Sequence, residues 1–325
     1  MNVAIVGCGL IGHKRAKNLG KCRLVACVDQ IAEKAENFAR QYPDCVAYTD
    51  LQSALQHPGI EIVIVSTLHA SLAEIALAAI QAGKQVLIEK PGGKRANELE
   101  PLIAAADKQN VVVRVGFNHR YHRAFRKARE LVSQNELGEL MFLRARYGHG
   151  GRVGYDKEWR AKPELSGGGE LIDQGMHLID LSRWFLGDFS DIQGFANTYY
   201  WDMPVDDNGF LILKTPENKI AFLHASCTEW KNIFSFEIYG RKGKIDINGL
   251  GGSYGVERIT FYKMSPEMGP PETFSWEFPM EDDSWKFEFS EFLADIKHKR
   301  QPSAGLHDAH AALQVVEEIY RMSGL

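Results

Sequence analysis

Four groups of residues set out the chemistry open to this sequence. Gly7-Cys8-Gly9-Leu10-Ile11-Gly12 spaces three glycines as G-x-G-x-x-G. In that pattern the first glycine permits a tight turn, the second lets backbone amides approach a pyrophosphate, and the third lets helix and strand pack closely. The turn runs into a helix whose N-terminus attracts the anion, so Gly7, Gly9, Leu10, Ile11 and Gly12 are candidate dinucleotide contacts. Asp29 stands seventeen residues beyond Gly12. A carboxylate there accepts hydrogen bonds from both ribose hydroxyls of NAD and repels the 2′-phosphate of NADP. Its neighbours Gln30 and Ile31 offer that phosphate no arginine, so NAD is favoured. The competing reading of Asp29 is an N-cap for the helix that follows.

Lys90, in Glu89-Lys90-Pro91, places a cation where it could polarise a carbonyl or share a proton with a hydroxyl. It also reads as a surface lysine that snorkels, with Pro91 simply ending a strand. Asp173 and His177 stand at i and i+4 in a stretch, 173–186, that reads as a helix, so both side chains share one face. Histidine exchanges protons near neutral pH, and a nearby carboxylate can fix its tautomer. An ordinary helical Asp–His pair would show the same spacing. Three glycines, 167–169, precede the pair and would let backbone or substrate come close.

The elements that must position these residues follow from apolar patterning. Continuous apolar runs at 3–6, 24–28, 60–66, 85–89 and 111–117 lack the alternation of a half-exposed strand. A parallel sheet covered on both faces requires such runs. Between them, 32–42, 71–82 and 96–109 carry apolar residues at helical spacing, and the β-α-β-α order points to a doubly wound α/β sheet. In that context the glycine pattern gains weight: it follows a strand and opens a helix near His13. Ligands of such sheets bind at the carboxyl ends of the strands. Gly7, Asp29, Ser66-Thr67 and Glu89-Lys90-Pro91 each follow a separate strand, so all four groups fall on one edge.

Composition narrows the function classes. The chain has 325 residues, a formal net charge of −4 and 45% hydrophobic residues, enough for about two domains. That charge gives no electrostatic reason to expect nucleic acid or a membrane surface as partner. Met1-Asn2 leads straight into an apolar strand without a charged n-region, and no apolar run reaches the ~20 residues of a bilayer crossing, so a cytoplasmic location is expected. Cys8, Cys22, Cys27, Cys45 and Cys227 are odd in number and form no C-x-x-C pair, which reads as reduced core thiols. His119-x-x-His122 and His307-x-x-His310 have metal-ligand spacing but no further ligands nearby, and no metal is expected. The basic residues of 114–129 (Arg114, His119, Arg120, His122, Arg123, Arg126, Lys127 and Arg129) read first as a solvated helix face, and alternatively as a receptor for an acidic sugar. Arg152, in 147–154, which reads as a mobile loop, could supply the same charge.

At Glu89-Lys90-Pro91 the chain resembles the Gfo/Idh/MocA oxidoreductases (glucose–fructose oxidoreductases and inositol dehydrogenases). The resemblance runs from the glycine turn through Gly116-Phe117-Asn118-His119-Arg120-Tyr121 and Ser166-Gly167-Gly168-Gly169-Glu170-Leu171-Ile172-Asp173-Gln174-Gly175-Met176-His177-Leu178-Ile179-Asp180. It implies a Rossmann domain over 1–120 and an α/β domain over 121–325 with a large open, mostly antiparallel sheet. A helix at 308–322 would return to the Rossmann domain. The resemblance makes Lys90, Asp173 and His177 the catalytic set. It adds Ser66, Thr67, Glu89, Lys90, Pro91, Asn118, Trp159 and Arg160 as cofactor contacts, and Arg120, Tyr121 and Arg160 as substrate contacts beside the catalytic three, with Arg152 a further candidate by its charge. The implied reaction oxidises a secondary alcohol of a sugar, polyol or sugar derivative. Hydride passes to C4 of NAD, His177 takes the hydroxyl proton, Lys90 stabilises the developing alkoxide and Asp173 orients His177. One departure is visible: the family often reads T-P-N-x-x-H where this chain has Thr67-Leu68-His69-Ala70-Ser71-Leu72. Two other functions remain compatible with the resemblance, a glycosidase working through transient oxidation by bound NAD and a non-catalytic dinucleotide sensor.

Beyond residue 140, strand pairs 210–214/219–225 and 234–239/244–247 flank turn sequences, and 259–263 and 273–278 complete a sheet of six to eight strands. Several strands are apolar on both faces: Ile220 and Phe222 face one way, Ala221 and Leu223 the other. Helices can cover one face only. The other would expose a patch larger than monomers usually tolerate, so a dimer or tetramer joined through this sheet is expected, unless loops 249–256 and 264–272 cover it.

Overall fold

A computed structural model describes residues 1–267 and 269–325. They divide into two compact units, Met1–Phe117 with Trp285–Ala311, and Asn118–Ser284 with Ala312–Leu325. The boundary expected at 120/121 falls at 117/118, and the expected single block 121–325 is interrupted, because Trp285–Ala311 belongs to the first unit.

In the first unit, β1 (Asn2–Val6), α1 (Leu10–Ala16), β2 (Arg23–Val28), α2 (Ala32–Ala39), β3 (Val46–Tyr48), α3 (Leu51–Leu55), β4 (Ile60–Val65), α4 (His69–Gln81), β5 (Gln85–Ile88), α5 (Glu100–Gln109) and β6 (Val113–Val115) alternate along the chain. The six strands form one parallel sheet in the order β3-β2-β1-β4-β5-β6. This is the doubly wound dinucleotide-binding order, with its reversal between β1 and β4. The strands form because nearly every position of β1, β2, β4 and β5 is a buried aliphatic residue, as two covered faces demand. β3 and α3 do not stand out in the sequence, since β3 has three residues and none of them is buried.

Residues 285–311 join this unit through charge and packing. Phe289 and Phe292 enter the core around Val3, Ile5, Phe38 and Ile64. Arg114 pairs with Asp295 at a fully buried site, and Val115 N donates to Ala304 O at 2.9 Å. An unpaired buried Arg114 would be costly, so these partners draw the segment back across the boundary.

The second unit holds α6 (Arg123–Ser133), β7 (Leu140–Gly148), α7 (Pro163–Ser166), α8 (Met176–Leu186), β8 (Asp191–Asn197), β9 (Asn208–Lys214), β10 (Ile220–Ser226), β11 (Ile233–Gly240), β12 (Gly243–Asn248), β13 (Glu257–Lys263) and β14 (Glu272–Phe278); two further helices, α9 (Ser284–His298) and α10 (Leu306–Ser323), follow. The eight strands run β14-β13-β12-β11-β7-β10-β9-β8, antiparallel except at β7–β10. Alternation places Leu143, Leu213, Leu223, Phe236, Ile247 and Ile259 in the core, beneath α6 and α8. α6 is amphipathic, with Ala124, Phe125, Ala128 and Leu131 buried. The basic segment is therefore not a uniformly solvated face: Arg114, His119, Arg120 and His122 are buried, while Arg123 bridges to Asp283 at 2.6 Å.

Candidate functional site

On the first unit the glycine turn is built by steric necessity. Gly7 has φ +100°, and a Cβ there would lie 2.5 Å from Ser66 O; a Cβ on Gly12 would lie 2.1 Å from Gly7 O. At Gly9, by contrast, a Cβ would meet nothing within 4 Å. The turn is closed from below by its own backbone and open above Gly9, the clearance a pyrophosphate needs. Leu10 is exposed and Ile11 half-buried at the start of α1. Ser66 Oγ donates to Gly7 O at 2.9 Å, so its hydroxyl fastens the turn, and Thr67 Oγ1 donates to Leu68 O at 3.4 Å. Asp29, at the end of β2, accepts from Cys8 N and Ile31 N, both at 3.0 Å. Its carboxylate thus borders the same turn, and the group fits the dinucleotide that the sequence called for. In the departing loop, Leu72 is a core residue and His69 is buried at the start of α4.

Lys90 is half-buried at the end of β5, and the Lys90–Pro91 peptide is cis. Its neighbour Glu89 is buried and accepts from Arg15 Nε at 2.6 Å; the same guanidinium pairs with Glu288. Trp285 lies 4.4 Å from the Arg15 guanidinium. Arg15 thereby ties the Glu-Lys-Pro turn to α1, the helix that opens on the glycine turn. Nothing near Arg15 in the sequence announces this role, because its partners lie 74 and 273 residues away.

On the second unit, Asp173 and His177 are both buried. The stretch expected as a plain helix over 173–186 starts with a π-helical turn, Leu171–Gly175, before α8 begins at Met176. Asp206, fully buried, accounts for this start: it accepts from Gly169 N, Leu171 N and Tyr320 Oη at 2.7–2.8 Å. The close approach at glycines 168 and 169 is made by the chain itself, since a Cβ on Gly169 would lie 1.9 Å from Asp206 O and one on Gly168 2.2 Å from Tyr320 Oη. Single-turn π insertions recur at functional sites.

Asp173 accepts from Arg160 Nε at 2.7 Å, and the Arg160 guanidinium lies 4.6 Å from the Trp159 ring. Burial works against the Arg160 charge, but Asp173 more than offsets it, so the Arg160 pKa moves up. The His177 ring stacks on His119 with centroids 3.6 Å apart. His119 entered the sequence reading as half of an i,i+3 pair with His122, as a member of the basic segment 114–129 and within the block 116–121. His122 instead faces Glu257 at 3.1 Å, and the described residues hold no cluster of metal-ligand type. Asn118 donates to Ser284 Oγ at 2.9 Å. Arg120 donates from Nε and NH2 to Asp180 at 2.8 and 2.5 Å, so its guanidinium is engaged within the protein. Tyr121 is half-buried at the end of a 3₁₀ turn, Asn118–Tyr121. Arg152 is exposed and pairs with Glu158 at 2.7 Å. The segment read as a mobile loop over 147–154 starts inside β7 and is packed as far as Gly151, since Cβ atoms on Gly150 and Gly151 would lie 3.0 Å from the Trp230 backbone and 2.3 Å from the Trp201 ring, whereas Arg152 and Val153 are exposed.

Comparison with known proteins decides the family. A profile described as "Oxidoreductase family, NAD-binding Rossmann fold" matches residues 1–117, and the "GFO/IDH/MocA C-terminal domain" matches 125–246. The chain belongs to the Gfo/Idh/MocA oxidoreductases. Levoglucosan dehydrogenase of Pseudarthrobacter phenanthrenivorans is 26% identical over 66% of this chain and 62% of its own length. Myo-inositol 2-dehydrogenase of Thermotoga maritima is 23% identical over 96% of this chain and 93% of its own length. A solved levoglucosan dehydrogenase in complex with NADH superposes with a TM-score of 0.88 at 22% identity, covering 99% and 98% of the two chains. Against this family, the chain keeps the Glu-Lys-Pro turn and the Asp-x-x-x-His pair, while Glu170, inside the block 166–180, and His149, inside 147–154, carry no role in the sequence reading.

Proposed function

We propose that this chain is an NAD-dependent dehydrogenase that moves a hydride between a secondary alcohol of a sugar, polyol or sugar derivative and nicotinamide. The observation that carries the reading is the joint presence of Lys90, Asp173 and His177 in a Gfo/Idh/MocA chain whose glycine turn is open at Gly9 and bordered by Asp29. Gly7, Gly9, Leu10, Ile11, Gly12 and Asp29 would hold the dinucleotide, with Ser66, Glu89 and Asn118 fastening the turns around it. NAD, when bound, supplies the hydride acceptor at C4 of its nicotinamide. His177 Nε2 or Nδ1 takes the hydroxyl proton of the alcohol, the Lys90 ammonium stabilises the developing alkoxide, and Asp173 holds Arg160 from the π-turn that leads into α8, the helix that carries His177. Trp159, Arg160, Tyr121 and Arg152 would contact the substrate.

The test is a panel of anhydrosugars, inositols, free sugars and sugar nucleotides offered with NAD and with NADP, following absorbance of the reduced cofactor. The relatives' names put anhydrosugars and inositols first. NADH formed in proportion to alcohol consumed supports the reading; cleavage of a glycoside without net NADH would replace it. No helix among the described residues is long and apolar enough to cross a membrane. All five cysteines are free, which suits a reducing compartment, and we assign the enzyme to the cytoplasm and to a homo-oligomer joined through its eight-stranded sheet.

A further inference from the structure

Glu170 is fully buried in the second unit, next to Gly169 and three residues before Asp173. Its Oε2 accepts from Tyr155 Oη at 3.3 Å and lies 3.6 Å from His149 Nε2. Its Oε1 has no hydrogen-bond partner among the described residues. An ionised carboxylate in that state keeps a lone oxygen in low dielectric, which is costly. His149 constrains the arrangement further. Gly151 N donates to His149 Nδ1 at 2.9 Å, so Nδ1 is the acceptor and the ring proton sits on Nε2, facing Glu170. The segment carrying His149, Gly151 and Tyr155 runs directly into Trp159 and Arg160, and Arg160 grips Asp173. One carboxyl group therefore holds both ends of the turn that leads to the proposed substrate contacts.

We propose that Glu170 is a positioning residue that latches residues 149–161 through Tyr155 and His149, and that the latch is tight while the Glu170 carboxyl carries its proton and loosens when it ionises.

The surroundings agree in sign. Around Glu170 stand His149 and Tyr147 from the end of β7, Tyr155 and Arg160 from the turns after it, Asp173 from the π-turn, Asp206 ahead of β9, Cys227 after β10 and Tyr254 from the turn before β13. Burial, first, and then Asp173 and Asp206 push the Glu170 carboxyl up to about 7, against the pull of His149. For His149 burial opposes the charge, but Glu170 outweighs it and the pKa moves up. The Glu170 carboxyl binds a proton more tightly in the packed state than in an opened, hydrated loop. Packing is therefore fully supported below the ordinary carboxyl value and is lost progressively as pH rises from there to about 7. The link to alcohol affinity rests on the dehydrogenase reading; the latch itself does not.

The experiment is amide hydrogen exchange of the full chain, saturated with NADH, from about pH 4 to 8.5, on peptides covering 149–161, for wild type and Glu170→Gln. Glutamine keeps the shape of the protonated acid and cannot ionise. Exchange at 149–161 should match between the two near pH 4, and the wild type should become faster than the variant by up to about tenfold per pH unit from the ordinary carboxyl value up to about 7, levelling off above it. A wild-type to variant ratio that stays constant with pH overturns the latch. If Glu170→Gln does not fold, the wild type alone decides: its 149–161 peptides must lose protection relative to the β11 strand, Ile233–Gly240, as pH rises, and parallel behaviour overturns the proposal. With the best alcohol of the panel, the wild-type KM should rise over the same pH window while kcat holds, and the variant's KM should stay flat. A panel without any substrate would fail the dehydrogenase reading and leave the exchange result standing.

Discussion

Asp29 is the residue we propose to act on cofactor choice, through charge at short range. Its carboxylate borders the glycine turn through Cys8 N, so a 2′-phosphate on the neighbouring ribose would meet an anion with no arginine to compensate. NAD should bind at least about tenfold tighter than NADP in a fluorescence titration, a difference of ~1.4 kcal/mol. Asp29→Asn, which keeps the hydrogen bonds and removes the charge, should narrow that gap, and equal affinities in the wild type would contradict the assignment. Lys90 and His177 are expected to act on the chemical step. Lys90→Met and His177→Ala should each lower kcat by about 10²-fold or more with NAD affinity nearly intact, read by steady-state kinetics beside cofactor titration. These residues were legible because each sits in a short motif with local spacing. Glu170, His149, His119 and Arg15 were not, since their significance lies in partners far along the chain or in burial, and neither leaves a periodic mark. Glu170 was visible only as an acid among the glycines and apolar residues of 167–172, a place where burial could have been suspected.

Among the elements, α1 and the Glu-Lys-Pro turn are held together by the triad Arg15–Glu89–Glu288. Removing Arg15 leaves two carboxylates buried without a cation, which costs about 3–5 kcal/mol. Arg15→Ala should lose stability of that order in urea unfolding, with Glu288→Gln losing less; a change within experimental scatter would mean that the triad is held open to water. The parallel strands and most helices of the first unit were readable, because continuous aliphatic runs have few alternatives in a 325-residue chain. Both hairpins of the second unit, β9–β10 and β11–β12, were legible from their turn residues, to within two residues at each strand end. The π-turn at Leu171–Gly175 was not, since its cause is Asp206, thirty-five residues from Leu171. The switch of Trp285–Ala311 back into the first unit was hidden for the same reason: Asp295 meets Arg114 across 181 residues.

For the molecule as a whole, the eight-stranded sheet leaves one apolar face in solvent. Phe195 is 63% exposed, Ile212 49%, Phe222 47% and Ile220 40%, all on β8, β9 and β10. Further along the same sheet a hollow of about 510 Å³ is lined by Met141, Tyr239, Lys244, Tyr262, Met264 and Pro271. The described parts of the loops at 249–256 and 264–272 leave Val256 and Met264 exposed, and Met268 lies outside the described residues. An exposed patch of this kind favours a second subunit. Light scattering at micromolar concentration should give a mass at least twice 36.5 kDa, and Ile212→Glu with Phe222→Glu should return it to the monomer value. A wild-type mass of one chain would show that the sheet stays uncovered. The central claim, hydride transfer from a carbinol carbon, is tested most directly with the best alcohol of the panel deuterated at its carbinol positions. Mass spectrometry of the reduced cofactor should find one deuterium per NADH formed, and NADH without deuterium, or turnover without NADH, would contradict the account.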